Sequence, residues 1–168
     1  MTLDQLYEIA ASRGIEIDDF PMSELRAMSF PEGWIAIDRR KFESETEYKC
    51  ALAHEIGHCE TGAFYNIHTS ARVRESLERL ANRFAAELLV PLHALKRAMH
   101  RGLLFAEILV RIFDVTLEFI RMVLELFERE MYTAARTRAP CHVRTVHTTY
   151  SLSPIVRPDP PFRPNPIS

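Results

Sequence analysis

Apolar and polar positions change period along the chain, and this change predicts short strands near the start and helices after them. Residues 3–13 carry apolar side chains at helical spacing and stop at Gly14, a typical helix cap. Alternating segments follow at 15–17, 25–30 and 34–38. The Pro31-Glu32-Gly33 turn between the last two predicts a β-hairpin.

The helical part begins with a capping box, Ser44 followed three residues later by Glu47. This box predicts a helix that runs to Gly62. Thr116 is positioned to cap another helix. Further helices are predicted at 73–90, 93–100 and 103–130, the last interrupted at 114–116. The chain therefore predicts an α+β fold.

The last segment differs from the rest, because seven of the ten prolines follow residue 139. Such a segment cannot form a regular helix or a central strand. We therefore predict one domain over 1–132, with 103–130 as a helical extension, and a flexible Pro- and Arg-rich tail over 133–168.

Composition narrows the class of protein. Apolar residues make up 47% and charged residues 26%, an ordinary globular balance, and the net charge is −2. The start of the chain lacks a basic, then apolar, leader, and no uninterrupted apolar run is long enough to span a bilayer. Three cysteines fit a reducing compartment. We expect a cytoplasmic protein without membrane contact.

The candidate chemistry lies in His54-Glu55-Ile56-Gly57-His58, an HExxH pattern on the helix that Ser44 begins. On a helix, His54 and His58 share one face, so both imidazoles can bind one Zn²⁺. Glu55 is then positioned as the general base for the attacking water. Gly57 would let another segment pack closely between the two histidines.

A hydrolytic zinc site needs a third protein ligand and an open position. Glu75, Glu78 and Glu87 compete for this role. The apolar face of 73–90 places Glu78 about 75° from its centre, against about 105° for Glu87 and about 135° for Glu75. A ligand must lie at the border of the core, so Glu78 is favoured, with Glu75 as its rival. Asn82, one turn on, could hydrogen-bond a ligand.

Two further residues are candidates for stabilising the oxyanion of the reaction. Tyr65 and His68 lie in the loop between the two ligand helices, and each could also be an ordinary loop residue.

Taken together, the motifs resemble the ImmA/IrrE family of zinc metallopeptidases over about residues 1–130. The resemblance rests on HEIGH at 54–58, on ERLAN at 78–82 and on FAAELLVP at 84–91. It implies a zincin-like core in which Glu78 is the third zinc ligand. It also implies that an edge strand pairs with the substrate, and we assign this role to 34–38, hence to Ile35, Ala36 and Ile37.

The resemblance further implies a substrate, a helix-turn-helix repressor of the Xre type on a mobile element or in a stress response. The segment around Asp114-Val115-Thr116 is itself similar to a helix-turn-helix. It has only Arg111 and Arg121 nearby among several acidic residues, so we do not expect direct DNA binding. An alternative function is a binding module that docks on a repressor, with zinc in a structural role.

Overall fold

The computed structural model describes residues 1–103 and 105–137, with side chains described as far as residue 129. These residues form a small sheet and six α-helices, which is the α+β class that the pattern predicts. The elements in chain order are α1 (Leu3–Ser12), β1 (Glu16–Asp19), β2 (Ala27–Phe30), β3 (Trp34–Ile37), a 3₁₀ turn (Arg39–Lys41), α2 (Glu45–Thr61), α3 (Ala71–Leu89), α4 (Leu92–His100), α5 (Ala106–Phe113) and α6 (Leu117–Thr137).

The sheet has the strand order β1-β3-β2. β3 pairs in parallel with β1 and antiparallel with β2, so the predicted hairpin is confirmed. The prediction that Ile35, Ala36 and Ile37 pair with a substrate is wrong. They belong to the central strand, whose backbone hydrogen-bonding groups are already used on both sides, and their side chains are buried.

Only one of the two hydrogen bonds of the predicted capping box is present at the start of α2. The Ser44 hydroxyl accepts a hydrogen bond from the Glu47 backbone N–H at 3.1 Å. The Glu47 carboxylate, however, accepts from the N–H of Glu43 at 2.8 Å and pairs with Arg26. The helix ends as predicted at Gly62, which has a left-handed φ of 64°.

Helices α2 and α3 make the most extensive contact between two elements in the described part of the chain. Their backbones meet at Gly57, where an added Cβ would lie 2.5 Å from the carbonyl oxygen of Ala81. Any side chain at this position would push the helices apart. The glycine inside the HExxH motif therefore sets the distance between the two helices.

The helical extension forms two helices, as predicted. The Thr116 hydroxyl accepts a hydrogen bond from the Phe119 N–H at 3.2 Å and caps α6. Leu109 of α5 and Ile120 of α6 are buried in the same core as the sheet and α2.

Helix α6 continues to Thr137, so the first residues of the predicted tail are helical, and 138–168 lie outside the described residues. Across the part of the chain that the structure covers, none of the helices has the length and apolar character needed to cross a membrane.

Candidate metal centre

Three side chains from α2 and α3 converge on one point. His54 Nε2 and His58 Nε2 lie 3.0 Å apart, as expected from their one-turn spacing. Glu78 of α3 brings its two carboxylate oxygens to 3.4 Å from His54 Nε2 and 3.5 Å from His58 Nε2. This is the one group of three or more His, Cys, Asp or Glu side chains, among those the structure describes, that could hold a metal ion.

The other ring nitrogen of each histidine is held by an oxygen. His58 Nδ1 lies 2.7 Å from the carbonyl oxygen of Ala63, and His54 Nδ1 lies 2.9 Å from Asn82 Oδ1. Since a carbonyl oxygen only accepts, each Nδ1 carries the proton, and each Nε2 presents a lone pair. Two lone pairs and a carboxylate then face one another, an arrangement that a cation between them stabilises.

The spacing of these atoms also fits zinc. Zinc binds imidazole nitrogen at about 2.0–2.1 Å, so tetrahedral ligand atoms are separated by about 3.3 Å. The three measured separations, 3.0, 3.4 and 3.5 Å, bracket that value. Two neutral imidazoles and one carboxylate are a donor set that a catalytic zinc ion accepts.

The structure separates Glu78 from its two rivals. Glu75 is exposed and pairs with Arg79 at 2.8 Å, one turn along the outer face of α3. Glu87 is also exposed. Glu78 is half-buried at the border of the core, where the helical phase of α3 places it. Geometry therefore brings Glu78, and neither rival, to the two histidines.

The charges at the centre reinforce one another. When no cation is bound, a second proton on His54 Nε2 takes its place and is donated to Glu78, and this hydrogen bond lowers the pKa of Glu78 to about 2. Burial lowers the pKa of His54, but the carboxylates of Glu78 and Glu55 outweigh burial and the net shift is upward. The centre is thus an electronegative pocket that favours a bound cation.

Of the two loop candidates, Tyr65 reaches this centre. Its ring centroid lies 6.2 Å from that of His58, and a hydrogen bond with Glu78 raises the pKa of its hydroxyl. Arg74 lies over the same ring at 5.2 Å. His68 is exposed, and its backbone N–H donates to Asn66 Oδ1. His68 does not belong to the converging group.

A groove of about 590 Å³ opens beside His54 and Glu55. The segment that leads into β2, helix α2 and the start of α6 line this groove, and Asn82 of α3 also contributes to it. Glu55 thus borders an open groove next to His54, and its charge raises the pKa of His54.

Sequence reasoning missed two parts of this arrangement. The Ala63 carbonyl that holds His58 follows Gly62, and only the fold of the loop brings it back to the ring. The contribution of Thr116, Phe119 and Met122 to the groove had no local signal, because they lie more than 60 residues after Glu55. The helical pattern of this segment predicts which of its residues are buried, but it does not predict which other element they contact.

An α+β fold with a converging His-His-Glu group is compatible with a metallopeptidase, and the comparison with known families supports this class. The model of the Peptidase_M78 family, the IrrE N-terminal-like domain, matches residues 14–125. The chain therefore belongs to this family, and the resemblance to ImmA/IrrE metallopeptidases is confirmed. No curated protein and no solved structure matches the chain.

Proposed function

We propose that this protein is a zinc-dependent endopeptidase with His54, His58 and Glu78 as ligands. The observation that carries the proposal is the convergence of these side chains, with their ligand atoms within 4.8 Å of one another, at the end of an open groove. A structural zinc site would have four protein ligands. The described residues supply three, and a groove beside them leaves access for water and a peptide.

Bound at this position, zinc would act as a Lewis acid on the scissile carbonyl and make the attacking water more acidic. Glu55 follows His54 directly and lines the groove. We assign it the transfer of a proton from the attacking water to the leaving amine. Asn82 and the Ala63 carbonyl fix the tautomers of the two histidines, so that each Nε2 is free to bind metal.

The strand that would pair with the peptide is β2, in place of the central strand. The Asp38 N–H donates to the Arg26 carbonyl at 2.9 Å, so Arg26 faces β3. Backbone groups alternate in direction along an antiparallel strand, so those of Ala27 and Ser29 face the outer edge. Ala27 also lines the groove, which places this edge next to Glu55.

The substrate that we propose is a cytoplasmic helix-turn-helix repressor of the Xre type, whose cleavage relieves repression of a mobile element or of stress genes. The support for this substrate is the family resemblance of the HExxH, ERLAN and FAAELLVP motifs. The open groove beside His54 and Glu55 leaves room for a peptide segment of such a protein.

The test is cleavage of candidate repressors from the same genome, co-expressed with the protein and analysed by mass spectrometry. Glu55→Gln should keep about one zinc per chain and lose about 100-fold or more of the cleavage rate, the usual contribution of a general base. Glu87→Gln, an identical change at an exposed position outside the groove, should cleave normally. Full cleavage by Glu55→Gln would remove Glu55 from the mechanism.

A second candidate function, a binding module, is favoured by one surface. Phe105, Ile108 and Ile112 are 68%, 37% and 48% exposed, and their spacing places them on one face at α5. An apolar face of this kind is a typical partner-binding surface. If Glu55→Gln still relieves repression in cells and Ile108→Glu does not, the protein acts by binding and not by cleavage.

A further inference from the structure

The groove extends well beyond the residues that the chemistry needs. It follows α2 from Glu55 back to Glu47, eight residues and hence about 12 Å at the rise of an α-helix. An extended peptide advances about 3.3 Å per residue, so this stretch accommodates about four residues on one side of the scissile bond. What lines this stretch therefore decides which peptides fit.

The charges that line this stretch are mostly negative. Arg26 is the one Lys or Arg among the groove residues, and its guanidinium is already paired with Glu47. Glu24, before β2, and Glu118, in the first turn of α6, are both exposed and both line the groove. Neither carboxylate forms an ion pair within the part of the chain that the structure describes.

Much of the remaining lining of the groove is apolar. Leu25, Phe42, Phe119 and Met122 contribute to it, and Leu25 is 47% exposed. A long basic side chain combines an apolar stem with a charged end, so it can cover such a surface and place its cation at the rim. An acidic peptide would bring like charges together.

The backbone edge limits how a peptide can lie. The Lys41 ammonium already donates to the carbonyl oxygens of Ser23 and Leu25, at 2.7 and 3.0 Å. Pairing with an added strand is thereby restricted to Ala27 and Ser29, close to Glu55. The residues that follow on the peptide would then run along the part of the groove that Glu24 and Glu118 line.

We propose that the groove selects substrates with a Lys or Arg within about four residues of the scissile bond, and that Glu24 and Glu118 determine this specificity. The inference rests on the proposed peptidase function. It identifies the substrate segment as basic and extended, a property that the chemistry of the metal centre alone would not require.

The experiment uses the full chain loaded with zinc and nine-residue peptides of Ala and Leu, in which one Lys is moved through every position. A second series carries Gln and a third carries Glu at the same positions. Cleavage is followed by mass spectrometry with the wild type. Binding is measured separately, by fluorescence anisotropy of labelled peptides with the Glu55→Gln protein, so that affinity is read without turnover.

We expect the Lys series to bind and react about two- to fivefold better than the Gln series at low salt, since an exposed ion pair is worth about 0.2–1 kcal/mol. The advantage should shrink in high salt. In the Glu24→Gln/Glu118→Gln variant the advantage of the Lys series should vanish, and in the Glu24→Lys/Glu118→Lys variant the Glu series should be preferred. Glu87→Gln changes an exposed residue of α3 outside the groove and should leave the advantage of the Lys series unchanged.

The two proposals fail in different ways. Cleavage of all three series at equal rates, or a preference that survives both double variants, would overturn the inference and leave the peptidase function standing. Preferential binding of the Lys series without cleavage of any peptide would support the inference and contradict the peptidase function. Neither binding nor cleavage of any series would overturn both.

Discussion

Two helix pairs in the described part of the chain, α2 with α3 and α5 with α6, are built in different ways. Helices α2 and α3 meet backbone to backbone at Gly57 and Ala81, and their polar side chains point inward at a common centre. Helices α5 and α6 join the core through apolar side chains such as Leu109 and Ile120. On α5 and just before it, other apolar side chains remain exposed.

Polar contacts at Asp114 connect the two pairs. Lys49 of α2 is almost fully buried and pairs with Asp114, which ends α5 in a left-handed conformation with φ 52°. Thr46 also donates to Asp114, at 2.9 Å. The metal ligands are therefore positioned by the backbone contact of α2 with α3, and α6 is positioned by apolar side-chain contacts with the core. Changes in the first pair should affect metal and chemistry, and changes in the second should affect stability and substrate selection.

The largest expected effect is loss of the metal in the first pair. Glu78→Ala removes one of three ligands, so we expect loss of bound zinc and of all measurable cleavage, read by metal analysis of the purified protein. Glu75→Ala, one turn away and exposed, is the matched control and should retain about one zinc per chain. Loss of zinc from Glu75→Ala with retention in Glu78→Ala would reverse the assignment.

The next effect concerns the helix contact. Helix propensity alone predicts that Gly57→Ala stabilises the protein by about 1 kcal/mol. The Cβ would lie 2.5 Å from a backbone oxygen, so we expect a net loss of about 1–3 kcal/mol in the free energy of unfolding, together with weaker metal binding. Denaturant unfolding of the metal-free protein measures the sign of the change in the free energy of unfolding. A stabilised variant would mean that α3 can move away from α2 without destabilising the protein.

The smallest effect concerns the link to the extension. Asp114→Asn tolerates the same left-handed backbone but leaves Lys49 without its anion. Because Asp114 is largely in solvent, we expect a loss of only about 1 kcal/mol at neutral pH. Metal content should stay unchanged, in contrast to Glu78→Ala, and a lower zinc content would show that the two helix pairs are coupled.

The same pair predicts a pH dependence. The hydrogen bond with Lys49, and next that with Thr46, lowers the pKa of Asp114 in the folded protein. The ionised carboxylate therefore stabilises the fold above its unfolded pKa of about 3.9, and this contribution is lost as pH falls through the lower folded value. The wild type and Asp114→Asn should converge in stability in that acidic range. A gap that stays constant down to pH 2 would contradict this.

Much of the site could be predicted from local pattern. The HExxH spacing places two histidines on one helical face, and the Ser44 cap fixes where that helix starts. The phase of α3 favours Glu78 and Asn82, since a regular helix determines which residues border its apolar face, and the structure then separates Glu78 from Glu75. The role of each residue in catalysis remains a prediction.

Pairing and long-range contacts could not be predicted in this way. The alternation of 34–38 correctly predicted a strand. It gave no information on the strand order β1-β3-β2, in which this strand is central and β2 lies at the edge. Strand order depends on how the chain crosses between elements, and a short stretch of sequence does not contain that information.

The local sequence pattern predicted the helix that carries His54 and His58 and the glycine between them, and it favoured Glu78 over Glu75 as the third ligand. The physical reason is that helical geometry repeats over a few residues and is nearly independent of its surroundings. That Glu24 and Glu118, 94 positions apart, line the same groove is a property of the tertiary structure alone. Their proximity comes from the packing of α6 against the core, which is a property of the whole chain.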